Sequence, residues 1–340
     1  MRGGEELIKI LAGSLRGIVE RAPFSFEGLQ EVKLRTGRPF LCRYEGREYG
    51  FLETGEPVAT GPVGGENSTK GLRKISGSEV KETLEYAGSY SLYAYEEELR
   101  QGFLTVRGGH RIGLAGKTVL VEGRVRSLKH VSFLNIRLAH QVKGCAAGLI
   151  PYLYDGDRVR STLILSPPGF GKTTLLRDLI RLISDGTEGH AGVTVGVADE
   201  RSELAACYQG VPQNDIGERT DVLDACPKAE GLSMLIRSMS PQVVAADEIG
   251  GDRDAEALRQ AACCGCSVLA TAHGGTLEEI RGKPSMERLL REGLFERHIL
   301  LGGANAGRRQ VGQVLGIYGR DGRILYDPDS KRESGEMPWH

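Results

Sequence analysis

Residues able to do chemistry concentrate in one stretch, 163 to 180, LILSPPGFGKTTLLRDLI. Gly169 and Gly171 let the backbone bend sharply, and Lys172, Thr173 and Thr174 add one cation and two hydroxyls. An apolar strand, a glycine-bearing turn and a helix in that order bring loop amides and a helix N-terminus onto a polyphosphate. The pattern G-x-x-x-x-G-K-[ST] is met with one departure, a serine in the first glycine's place. The loop therefore reads Ser166, Pro167, Pro168, Gly169, Phe170, Gly171, Lys172, Thr173, with Thr174 after it. Serine is small, and the two glycines nearest the phosphates are kept. Lys172 is the expected partner of the β- and γ-phosphates of ATP, and the Thr173 hydroxyl a ligand of Mg²⁺.

A second stretch, QVVAADE at 242 to 248, ends an apolar run on two acids. Asp247 suits the magnesium shell, and Glu248 suits a base that polarises water for direct ATP hydrolysis. A capping Asp followed by a surface Glu is the plain alternative, and the phosphate loop upstream on a separate strand argues against it. Two further runs end in polar residues: VGVADERSE on Asp199, Glu200 and Arg201, and SVLATAHGG on Thr271, Ala272 and His273. If all these strands are parallel, their carboxyl ends lie beside the loop, where such groups can sense a γ-phosphate or orient water.

The elements that must hold these residues follow from the rest of the chain. Beyond residue 150, short apolar strands alternate with helical stretches, which predicts an α/β domain with a parallel sheet and helices on both faces. It spans 146–327, with HILLGG and VGQVLGIYGRDGRILYD as added strands, the last pair turning at Arg320-Asp321-Gly322. Residues 1–145 read as a smaller α+β domain. It opens with an apolar stripe at helical spacing (Leu7, Ile8, Leu11, Leu15, Ile18, Val19), read as one helix. A loop at about 53–77 follows, then a helix capped by Ser78 and stopped by Gly88, a second short helix in SLYAYEEELRQG, and strands from Phe103 to Leu138. The tail 328–340 is polar enough to be disordered.

With 340 residues, 40% of them hydrophobic, there is enough chain for two cores. A formal net charge of −1 excludes polyanion binding by bulk charge. Seven cysteines without disulfide-framework spacing suit a reducing cytoplasm. No stretch reaches the roughly 18 apolar residues of a membrane span, and the N-terminus lacks an export signal. The run CCGC, Cys263 to Cys266, has no second pair for zinc and reads as packing at a helix end. Between Arg100 and Lys143, the basic residues Arg107, Arg111, Lys117, Arg124, Arg126, Lys129 and Arg137 face only Glu122. Base-stacking aromatics are nearly absent there, so nucleic acid is not the expected partner.

The phosphate loop, the two acids and the strand ends resemble the P-loop NTPases of RecA-like, additional-strand type. Within them they resemble the secretion and pilus-motor ATPases of bacterial type II and type IV systems. ADERSE and TAHGG stand where that group carries an acidic box and a histidine box, though their wording departs from its commoner forms. Over nearly the whole chain the sequence is similar to the stage III sporulation AA family of endospore formers. That resemblance rests on GFLTVRGGHRIGLAGK, GERTDVLDACPKAEGLSMLIRSMSPQVVAADEIGG and TAHG. It implies an ATPase of the mother-cell cytoplasm, peripheral to a membrane, that energises a channel complex through a membrane-protein partner. It also implies a homo-oligomeric ring, usually a hexamer, with an arginine reaching a neighbour's γ-phosphate. Arg219, Arg201 and Arg237 are the candidates. The rival readings are a nucleic-acid translocase using the basic strip, and a nucleotide-dependent scaffold with negligible hydrolysis.

Overall fold

The computed structural model describes residues 2–60, 71–88, 102–305 and 308–328. They divide into two compact units, 1–140 with 206–213, and 141–205 with 214–340. The excursion of 206–213 into the first unit has no counterpart in the sequence reading.

In the first unit, helices α1 (Arg2–Ile10), α2 (Gly13–Arg21) and α3 (Gly77–Ala87) accompany one antiparallel sheet. Its strands are β1 (Leu29–Arg35), β2 (Leu41–Tyr44), β3 (Arg47–Phe51), β4 (Pro57–Ala59), β5 (Phe103–Thr105), β6 (Arg111–Val121) and β7 (Arg124–Arg137), ordered β4-β3-β2-β1-β7-β6-β5. Leu7, Leu11, Leu15, Leu34, Phe40, Phe51, Ile112 and Ile136 fill the core.

The N-terminal stripe forms two helices, not one. Ala12 adopts ψ 143, which breaks the helical path, yet Leu11 and Leu15 on either side stay buried. The cap of α3 is Ser76 rather than Ser78. Ser76 accepts from the Glu79 amide, and Glu79 accepts from the Ser76 amide, a reciprocal capping box. Gly88 ends that helix as expected. The described parts of the stretch 53–77 carry strand pairing rather than plain loop. Strand β4 pairs with β3, and buried Leu72 and Ile75 bridge to Leu52 and Thr36. Residues 61–70, most of the second short helix (89–101) and the tail from 329 lie outside the described residues.

The second unit is built on an eight-stranded sheet. In chain order come β8 (Thr162–Ser166), α4 (Lys172–Asp185), β9 (Val195–Asp199), β10 (Thr220–Asp224), α5 (Lys228–Met239), β11 (Val243–Ala246), α6 (Asp252–Cys263) and β12 (Ser267–His273). Then follow α7 (Leu277–Arg281), α8 (Pro284–Glu292), β13 (Arg297–Asn305), β14 (Arg308–Gly319) and β15 (Ile324–Tyr326). The spatial order is β10-β9-β11-β12-β8-β13-β14-β15. Pairing is parallel from β10 to β13 and antiparallel beyond.

Strand β12 thus intervenes between the phosphate-loop strand β8 and the acid-bearing β11, which is the additional-strand arrangement. Every residue of β8 and β11 is buried, as expected of strands covered on both faces. Helix α4 buries Leu175, Leu176, Leu179, Ile180 and Ile183, a stripe at helical spacing in which each side chain contributes about 1.5–3 kcal/mol. Strand β10 and helices α7 and α8 are additions to the sequence reading. All residues of β10 are only half-buried, which explains its weak apolar signal. At the end of α6, Cys263 and Cys264 are exposed and only Cys266 serves as buried filler.

Candidate active site

Register carries the strand ends to one edge. Ser166 pairs with His273, Ala246 with both Ala198 and Ala270, and Asp199 with Asp224. The loop after β8 therefore opens beside the ends of β12, β11 and β9.

The loop turns through Gly169 (φ 74) and Gly171 (φ 88), left-handed conformations that glycine adopts without a Cβ clash. Gly171 caps α4, so Lys172 begins the helix and Thr173 follows in its first turn. The Phe170 carbonyl accepts from the Gly312 amide of β14, which fixes the loop from outside. Ser166 is buried, and its hydroxyl donates to the Pro167 carbonyl, so it braces the turn from within.

Lys172 is 4% exposed, with Nζ 3.1 Å from His273 Nδ1 and 3.8 Å from Glu248 Oε1. The Thr173 hydroxyl donates to Asp247 Oδ2 at 2.6 Å. Thr271 ties both acids down: its hydroxyl donates to Asp247 Oδ1 and accepts from the Glu248 amide at 2.8 Å. Glu248 lies at φ 54, a conformation that costs a residue with a Cβ about 1–3 kcal/mol. Glu248 Oε1 is 2.9 Å from His273 Nε2, and its Oε2 accepts from Arg201 at 2.7 Å. A threonine hydroxyl beside an aspartate, next to a buried lysine, is a donor set for a hard divalent cation on a polyphosphate. Glu248, beside that pair, can take a proton.

In the acidic box, Asp199 and Glu200 line one small cavity with Arg201, Lys228, Asp247 and Glu248. Asp199 is 2% exposed and accepts from the amides of Glu203, Leu204 and Ala205 at 2.9, 3.0 and 2.9 Å. Burial pushes its carboxyl up to about 6, while the same amides pull it down. It anchors a loop. Glu200 is paired with Lys228. Burial also raises Asp224, which accepts from the Ser202 hydroxyl at 2.6 Å.

The arginines separate. Arg201 is in the site, on its own chain's Glu248. Arg219 precedes β10 at the amino end of the strands, where it donates to the Ser184 carbonyl at 3.0 Å. Arg237 is exposed on α5 and donates to the Ser233 carbonyl at 3.1 Å. It lines a separate 620 Å³ cleft with Met234, Glu230 and Asp252, away from the phosphate loop.

Two supporting residues escaped the sequence reading. Arg177 donates to the carbonyls of Leu204 and Glu203 at 2.7 and 2.5 Å, and burial lowers its pKa. It lies one helical turn past Thr173, and that spacing is the available signal. Lys283 donates to the His273 carbonyl at 2.7 Å, and no local pattern marks it.

Comparison with known proteins agrees with this architecture. The family model described as Sporulation stage III, protein AA matches residues 1–325. Stage III sporulation protein AA of Bacillus subtilis (strain 168) is 41% identical over 322 residues, which cover 94% of this chain and 96% of that protein. Among solved structures, the Legionella pneumophila ATPase DotB superposes with a TM-score of 0.55 at 16% identity, covering 91% of this chain and 81% of its own. The pilus retraction motor PilT, solved with bound ADP, gives 0.55 at 15% identity, covering 96% and 85%. Likeness at that identity concerns the fold, which is that of the RecA-like secretion and pilus ATPases. The extent of the family match and the near-complete overlap with the Bacillus relative make this chain a member of the sporulation stage III protein AA family.

Proposed function

We propose that this chain hydrolyses ATP to ADP and phosphate, and that as a ring-forming motor it energises a sporulation channel of secretion type. The observation that carries the reading is the convergence of Lys172, Thr173, Asp247 and Glu248 on one sheet edge around a glycine turn. Thr173 and Asp247 would hold Mg²⁺, which supplies positive charge on the phosphate oxygens. Lys172, already desolvated, presents its ammonium to the β- and γ-phosphates in place of His273 and Glu248. Loop amides from 169 to 174 and the α4 N-terminus bind the same oxygens. Glu248 accepts a proton from the water that attacks the γ-phosphorus as the bond to the β-phosphate oxygen breaks. Such a positioned base typically contributes 10²–10⁴ in rate.

The ring, its membrane-protein partner and a peripheral place at a cytoplasmic membrane face belong to the same proposal. They draw on family membership and on the fold shared with a protein named as a pilus retraction motor. No described helix is long and apolar enough to cross a membrane. The test is turnover per subunit across protein concentration. A rate that rises with concentration supports hydrolysis completed in an assembly. ATP binding without turnover at any concentration points to the scaffold.

A further inference from the structure

Glu248 is occupied from both sides. Its Oε1 faces His273 and Lys172, and its Oε2 faces Arg201. On the hydrolase reading, on which this inference rests, that carboxylate must turn to water. Its backbone is not free to swing, because the Glu248 amide donates to the Thr271 hydroxyl and the Ile249 amide to the Thr271 carbonyl, both at 2.8 Å. On Oε1, His273 stays at the end of β12 while the Lys172 ammonium, in the first turn of α4, turns to the phosphates. On Oε2 the partner is Arg201, whose side chain is 64% exposed and free to leave.

The loop that carries Arg201 is pinned on both sides. Asp199 before it holds the amides of 203 to 205, and Arg177 holds the carbonyls of 203 and 204. Arg201 therefore moves as a side chain from a fixed base at the rim of the site, within reach of the γ-phosphate's partners. A guanidinium exchanges readily between anions, and a terminal phosphate offers more charge and a better bidentate match than one carboxylate oxygen.

We propose that Arg201 is a nucleotide-sensing residue of its own chain's site and responds to the third phosphate. With ADP or no nucleotide it holds Glu248 through Oε2. When ATP is bound it transfers to the γ-phosphate and leaves Oε2 free for water. Arg201 thus works in cis, unlike an arginine supplied across a subunit interface.

Two measurements on the full chain decide this. The first compares affinity for ADP with affinity for a non-hydrolysable ATP analogue. Arg201→Ala should weaken the analogue about tenfold or more while leaving ADP unchanged, with Arg201→Lys recovering part of the loss. Equal weakening of both nucleotides, or of neither, overturns the proposal. The second co-expresses Arg201→Ala and Glu248→Gln subunits under different tags and measures turnover of the mixed assembly. In cis no site is complete, and the rate stays at the sum of the two parents. A rate well above that sum shows Arg201 serving a neighbour and overturns the proposal. A wild-type chain that binds neither nucleotide would instead remove the hydrolase reading beneath it.

Discussion

At the end of β9, Asp199 is buried and spends its carboxylate on three backbone amides of its own loop. Just past the adjacent strand β11, Asp247 and Glu248 are half-buried and spend theirs on side chains: Thr173, Thr271, His273 and Arg201. Side-chain partners can be exchanged for a ligand, whereas amides of a buried loop cannot be released without unfolding it. On the hydrolase reading, the acids at these neighbouring strand ends therefore divide into an anchor and a working pair. The largest expected effect tests the working pair. Glu248→Gln should lower ATP turnover by about 10² or more, with ATP still bound and the denaturation midpoint little changed. Steady-state turnover beside equilibrium nucleotide binding reads both.

Asp199→Asn should do the reverse. Asparagine keeps one acceptor oxygen and turns an NH₂ toward amides that are themselves donors, leaving buried groups unpaired. The expected loss is about 1–3 kcal/mol of stability, read from the urea midpoint, with a smaller fall in turnover through the displaced Arg201 loop. Lost turnover at full stability would make Asp199 a working acid after all and collapse the comparison.

This division marks how far the sequence was legible. The phosphate loop shows because its glycines, lysine and threonine are local in the chain, and local order dictates strand, turn and helix. Asp247 and Glu248 show because an apolar run stops on them. Asp199 has the same local look, and only the fate of the amides at 203 to 205 sets it apart. Strand β10 is half-buried at the sheet's edge, so TDVLD lacks the apolar run that would announce it. The excursion of 206–213 into the first unit depends on long-range packing, such as the Gly108 amide donating to Gln213 at 2.9 Å, which no window of sequence contains. Likewise the cap expected at Ser78 falls on Ser76, because Glu79 reaches back to the Ser76 amide.

Acidity separates the anchor further, with a histidine as counterweight. The Asp199 carboxyl is raised from 3.8 to about 6, so between those values the folded chain holds more proton than the unfolded one. Its contribution therefore falls as pH rises through that window, by at most about 3 kcal/mol. His298 on β13 is buried, with no well-formed hydrogen bond to either ring nitrogen among the described residues, and burial pushes it from 6.5 down to about 4. Here the unfolded chain holds more proton, and stability is lost as pH falls from 6.5 toward 4. The two slopes oppose. Relative to wild type, the deficit of Asp199→Asn should shrink from pH 4 to pH 6, and His298→Leu should gain most at pH 4. Melting temperatures across that range show whether the slopes have these signs, and parallel curves for all three proteins would refute them.

The smallest effect lies inside the anchoring loop. Ser202 stands at φ 52 and donates to Asp224 at 2.6 Å, so hydroxyl and backbone strain act at one residue. Ser202→Ala removes the bond and keeps the strain, for an expected loss of about 0.5–1.5 kcal/mol. Ser202→Gly removes the same bond and relaxes the left-handed backbone, which should recover several tenths of a kcal/mol or more. Wild type above glycine above alanine in urea midpoint is the expected order. Alanine equal to wild type would mean that the Asp224 contact contributes nothing, and that the loop is held by Asp199 and Arg177 alone.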